Sequence, residues 1–241
     1  MATRDLHAPT DRATIPIMGW KLGVLPAVAC LAAAAHAGPY RFDKVEDYLA
    51  PAAMWDTWVA TETAFRADLD TIERCGDGVA DCPASFRAMH RLVVRLRNVA
   101  ADDRVRAVNA WVNRRRYRED RSRRDSAGRI PNEWRSLSEL VSRGGDCEDF
   151  AMAKYFLLRA TGIPADRLRV VIAWDRPTRA HHALLAYDTD AGAWLVETDG
   201  TIRRTQHGQY RFLFSINEDG VWDHAPTEGA LAPRHQQRGS T

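Results

Sequence analysis

Gly144-Gly145-Asp146-Cys147-Glu148-Asp149-Phe150, running on into Ala151-Met152-Ala153-Lys154-Tyr155-Phe156-Leu157-Leu158, is the stretch on which the fold turns. A glycine pair followed by an acid and an apolar run reads as a turn entering a helix. Thr161-Gly162-Ile163-Pro164 ends that helix, with glycine for a left-handed cap and proline to stop propagation. Apolar residues occupy most of its circumference, so the helix belongs in the middle of the fold. It starts at Cys147, where free N–H groups and the helix dipole favour a thiolate. Asp146 and Glu148 on either side oppose that ionisation unless a cation neutralises them.

Upstream, apolar residues recur at helical spacing. Val45, Tyr48, Leu49, Trp55, Trp58, Val59, Phe65, Leu69 and Ile72 predict helix over 43–74. Phe86, Met89, Leu92, Val93 and Leu96 predict a second helix. Val105, Val108, Trp111 and Val112 predict a third, capped by Asp102 or Asp103. Leu137, Leu140 and Val141 place a short helix just before the glycine pair. Downstream the period becomes two: Leu168, Val170, Ile172 and Trp174 alternate, and further strands are expected at 182–187, 194–197 and 210–214. Helices followed by a strand meander give an α+β domain.

The 241 residues, 45% of them hydrophobic, suffice for one sizeable core, and a net charge of +2 offers no field for nucleic acid. Lys21, the apolar run Leu22–Leu31 and the Ala35-His36-Ala37 site read as a signal peptide over 1–37, with Met18 an alternative start. The apolar run is shorter than the roughly 20 residues a membrane span needs, so export to the periplasm is expected rather than anchoring. The domain then covers 38–225, and 226–241 reads as a flexible tail. Cys75 and Cys82 bracket a short polar loop, expected to be a disulfide in an oxidising compartment. Cys147 is then the odd cysteine, as a reactive thiol would be. Seven arginines between Arg114 and Arg124 read as a solvated charge run, with docking of an acidic partner the sharper alternative.

A base for the thiol is available on the strands. If Asp188 pairs with Ala191 across a hairpin, His182 faces Glu197; a loop one residue later sets it opposite Asp199 instead. Either acid could orient the imidazole, leaving its other nitrogen for Cys147.

Gly145-Asp146-Cys147-Glu148-Asp149-Phe150-Ala151, Lys154, Leu157 and Gly162-Ile163-Pro164 resemble the bacterial transglutaminase-like cysteine peptidases. The likeness extends through Val108-Asn109-Ala110-Trp111-Val112-Asn113, Trp134, His182-Ala183-Leu184-Leu185 and Tyr210-Arg211-Phe212-Leu213, over most of 65–222. It implies a papain/transglutaminase-like core, with Cys147 as nucleophile and His182 as base. The family's Asp falls on Glu197 here, with Asp199 in reserve should the strand be bulged. The resemblance also implies calcium held by Asp146 and Glu148, with Asp149 a further candidate. It implies as substrate a large surface adhesin, cleaved in biofilm control, and as partner a cyclic-di-GMP-responsive membrane receptor. Acyl transfer to an amine by the same triad, or a peptide-binding module with a degraded triad, are the rival expectations.

Overall fold

The central helix forms where those local signals place it. In a computed structural model that describes residues 40, 42, 46–76, 81–120, 134–204 and 208–224, it is the last of five helices. These are α1 (Asp56–Arg74), α2 (Ala84–Leu96), α3 (Ala101–Val112), α4 (Leu137–Arg143) and α5 (Cys147–Ala160). Every residue of α5 from Asp149 to Leu158 is buried. Burying each Phe or Leu there contributes about 1.5–3 kcal/mol, so the apolar circumference makes α5 the element around which the others assemble. At its end Gly162 has φ +94°, and the Ile163 N–H returns to the Leu158 carbonyl at 3.2 Å. α4 starts from Ser136, which exchanges bonds with Glu139 in a capping box.

The glycine pair is required for two separate reasons. Gly144 sits at φ +81°, ψ 179°, a region open essentially to glycine alone, and a Cβ there would lie 2.3 Å from the Arg116 carbonyl oxygen. A Cβ on Gly145 would meet Asp149 Oδ2 at 2.3 Å. The close approach lets Gly145 N–H bond Arg116 O (3.2 Å) and Arg118 N–H bond Gly145 O (2.8 Å), tying the segment 116–118 beside the start of α5. Gly144→Ala is therefore expected to cost about 3 kcal/mol, from backbone strain and the contact together, read as a lowered urea midpoint.

Seven strands among the described residues form one antiparallel sheet in the order β1-β7-β6-β2-β3-β4-β5. They are β1 (Asp47–Ala50), β2 (Leu168–Asp175), β3 (Ala180–Thr189), β4 (Gly192–Val196), β5 (Ile202–Arg204), β6 (Tyr210–Ile216) and β7 (Val221–Asp223). Alternation divides their side chains between two cores. Leu168, Val170, Ala183, Leu185, Tyr187 and Val196 join the helices, with α5 against β2 and β3 and α3 against α5. Val171, Ala173, Leu184, Ala186, Leu195 and Phe212 face the other way, onto Tyr40 and Phe42.

Two expectations are corrected. The helical pattern from 43 onward breaks: Tyr48 and Leu49 lie in β1, paired with β7, and α1 begins only at Asp56. Pro51 is the reason, because it holds the preceding residue extended. The N-cap of α3 is Ala100, while Asp102 and Asp103 occupy its first turn and complement the dipole. The three-residue strands β5 and β7 are too short to carry a period. Cys75 and Cys82 are bonded, with Cα atoms 5.5 Å apart, and Cys147 is the free cysteine among the described residues. The segment 1–37, the tail 226–241 and Arg121 to Arg124 lie outside the described residues. Of the arginine run within them, Arg115 lies 4.4 Å over the Trp111 ring.

Candidate active site

Cys147 is the first residue of α5 and is partly exposed. Its thiol donates to Glu148 Oε2 at 3.1 Å. Burial pushes the thiol pKa up and the Glu148 charge adds to that, against a hydrogen bond from the Ala183 backbone N–H, which favours the thiolate. The helix start alone does not make this cysteine acidic. The thiol opens on a cavity of about 270 Å³ lined by Trp55, Trp134, Cys147, Ile172, His182 and Phe214. Trp55 and Trp134 meet edge to face at 6.0 Å and wall one side.

His182 reaches this cavity from β3. Its Nε2 lies 3.0 Å from Glu197 Oε2, which leaves Nδ1 as the ring nitrogen without an acid. The other carboxylate oxygen, Oε1, accepts from the Tyr210 hydroxyl at 3.0 Å, and the Tyr210 ring stacks on the imidazole at 5.8 Å. Glu197 is thus buried with both oxygens engaged.

The register that achieves this is the later of the two possibilities. Thr189 pairs with Gly192 and Leu185 with Val196, so a continued ladder would set His182 opposite Asp199. The ladder stops at Val196. Glu197 N–H turns to the Thr201 carbonyl (3.0 Å), Gly200 takes φ +93°, and the longer Glu side chain reaches back to the imidazole. Asp199 stays outside the site: it accepts from Thr201 N and Oγ1 at 2.8 and 2.7 Å and from Arg203 at 3.2 Å.

The acids beside the thiol separate into two groups. Asp146, Glu148 and Asp120 offer carboxylate oxygens within 4.8 Å of one another. Asp146 Oδ1 is buried with no hydrogen-bond partner, and burial together with Glu148 and Asp120 pushes that carboxyl pKa up. An orphaned oxygen among three hard, mutually repelling carboxylates fits a divalent cation of the calcium type. Asp149 is not one of them. It accepts from Arg135 N (2.7 Å), Arg135 Nη1 (2.6 Å) and Asp146 N (3.1 Å), with no exposed surface. Its role is to close the capping box of α5.

The model of the bacterial transglutaminase-like cysteine proteinases matches residues 64–226. The chain belongs to that family. Calcium-bound LapG of Legionella pneumophila is similar in fold, with a TM-score of 0.54 and 24% identity over 67% of this chain and 92% of that one. A second structure of Legionella LapG gives a TM-score of 0.50 and 25% identity over 68% of this chain and 87% of that one. The EGTA-treated form gives 0.50 and 25% over 68% and 84%. No curated protein sequence matches the chain.

In this transglutaminase-like cysteine proteinase the cleft does not end at the nucleophile. A second, almost wholly apolar cavity of about 510 Å³ adjoins it, sharing Trp55, Leu213 and Phe214 and adding Leu49, Met54 and Val221. No helix among the described residues is long and apolar enough to cross a membrane. Two participants carry no signal in the sequence that marks them for the site. Asp120 sits in the arginine run, and the pairing of Tyr117 with Gly145 together with an ion pair to Arg135 brings it to the acids. Tyr210 is legible as a strand residue, but its contact with Glu197 depends on folding across the sheet.

Proposed function

We propose that this cysteine peptidase is an exported, calcium-dependent endopeptidase that works through Cys147, His182 and Glu197. The observation that carries the reading is the His182–Glu197 pair at 3.0 Å, held by Tyr210 and opening on the cavity that contains the unpaired Cys147. His182 Nδ1 takes the thiol proton and the sulfur attacks the peptide carbonyl carbon. The oxyanion forms at the start of α5, within reach of the Cys147 N–H. The imidazolium returns its proton to the departing amine as the C–N bond breaks, leaving a thioester. Water, deprotonated by His182, then releases the acid and restores the thiol. Glu197 keeps the ring in place through its bond to Nε2.

Asp120, Asp146 and Glu148 would hold the calcium ion, with Asp149 kept for the fold. Bound there, the ion supplies positive charge that offsets the carboxylates beside the thiol. The substrate proposed is the N-terminal region of a large surface adhesin, whose extended chain the paired cavities suit. The regulator proposed is a cyclic-di-GMP-responsive membrane receptor in biofilm control, and the compartment is the periplasm. Adhesin and receptor rest on the family likeness, and the compartment on the signal-like segment 1–37.

Incubating the protein with the adhesin region and calcium in H₂¹⁸O, with and without a primary amine, tests this reading. The expected product is a cut chain carrying ¹⁸O at its new C-terminus, unaffected by the amine and absent after thiol alkylation. Amine-linked product without ¹⁸O would assign acyl transfer instead, and no product with a reactive thiol would leave a binding module.

A further inference from the structure

Lys154 lies seven residues after the nucleophile on α5. Seven residues complete nearly two turns, so both project from one face of the helix, about 10 Å apart along its axis. Lys154 has no exposed surface, and its Nζ donates to the main-chain oxygen of Glu197 at 2.6 Å. Asn113, at the end of α3, donates to the same oxygen at 3.1 Å. Asn113 Nδ2 also bonds Asn109 Oδ1 (3.0 Å), and Asn109 Nδ2 bonds Gly200 O (2.8 Å). Three side chains of the helical layer therefore grip the turn 197–200 by its carbonyls, where the β3–β4 ladder has already ended.

Burying an amine is costly, and methionine would fill the same space among the apolar neighbours of α5 without that cost. The chain otherwise relies on arginine: Lys154 is one of three lysines among 34 basic residues. A slender amine fits one carbonyl where a guanidinium would bring five donors to satisfy. Burial lowers the Lys154 pKa to about 7, opposed by the charges of Glu197 and Asp199.

We propose that Lys154 is a positioning residue of the Cys147–His182–Glu197 triad: together with Asn113 it fixes the Glu197 main chain, so that the carboxylate is held on His182 while Cys147 is held by the same helix. This inference rests on the triad reading above. α5 then acts as a ruler between nucleophile and orienter, and the Val108–Asn113 motif gains a function as its second anchor.

A double-mutant cycle on the full chain with calcium tests it, reading iodoacetamide modification of Cys147 at pH 7 by peptide mass mapping. Lys154→Met is expected to slow modification about tenfold, as a displaced imidazole loses its hold on the thiolate. In a Glu197→Gln background the same change is expected to matter less than about twofold, since the anchored acid is already disabled. Equal slowing in both backgrounds, or no slowing in either, overturns the proposal. If Glu197→Gln alone leaves the rate unchanged, the triad reading itself fails, a distinguishable result. Should Lys154→Met show no cooperative melting, Asn113→Ala runs the same cycle: slowing confined to the Glu197 background supports the proposal, and equal or absent slowing overturns it.

Discussion

Cys147→Ala and His182→Ala are each expected to lower kcat/KM for the proposed adhesin substrate by at least about 10⁴-fold, and the double variant is expected to be little worse than either. The reason is the state of the thiol. Burial and Glu148 push its pKa up, so without the imidazole it remains protonated and hydrogen-bonded to Glu148 Oε2. A cysteine of that kind contributes almost nothing by itself, and an imidazole without a thiol has nothing to activate. What survives in all three variants is the oxyanion donor and the cleft. Cys147 is partly exposed, so alanine removes little packing and stability should stay within about 1 kcal/mol of wild type. Kinetics for the three variants, with melting curves, decide between the alternatives. Losses that multiply in the double variant would mean that the two groups act independently, and the triad would be abandoned.

Legibility in the sequence follows the range of the interactions. The α5 helix, its glycine turn and its C-terminal glycine are set by contacts within a few residues, and each stands where those residues point. The α+β organisation is readable because the period changes once, after Pro164. Glu197 is the acid opposite His182 in the shorter hairpin, yet that register is not the one adopted: the ladder takes the later register and then ends, and side-chain length restores the contact. Strand parity carries that information, while the point where the strand stops does not show. Adjacency alone groups Asp149 with the other acids. The spacing of Asp146 and Asp149, cap and third helical residue, is the available sign that it turns back onto the backbone. Asp120 leaves no local sign, because its place depends on the segment 116–118 lying against a glycine 28 residues from Tyr117.

Removing calcium should separate the two sets of acids by the sign of their effects. With the ion at a hundred times its dissociation constant, the wild-type protein gains about 2.7 kcal/mol of stability, seen as a higher melting temperature that EGTA reverses. Asp146→Asn and Asp120→Asn are expected to melt no higher with calcium than without. In EGTA Asp146→Asn should melt above wild type, because one of three carboxylates within 4.8 Å has lost its charge. Asp149→Asn should do the reverse. It removes the fully buried one of the two carboxylates that hold Arg135, which keeps Asp120, and costs about 1–3 kcal/mol with or without the ion. The calcium-induced rise should persist in whatever fraction folds. Differential scanning calorimetry of the four proteins in calcium and in EGTA checks all of this. A calcium-dependent rise lost with Asp149 and kept without Asp120 would return the ligand set to the three acids contiguous with the nucleophile. A rise lost with Asp120 and Asp146 alone places the cation between the arginine segment and the helix start, where occupancy also fixes the approach to Cys147.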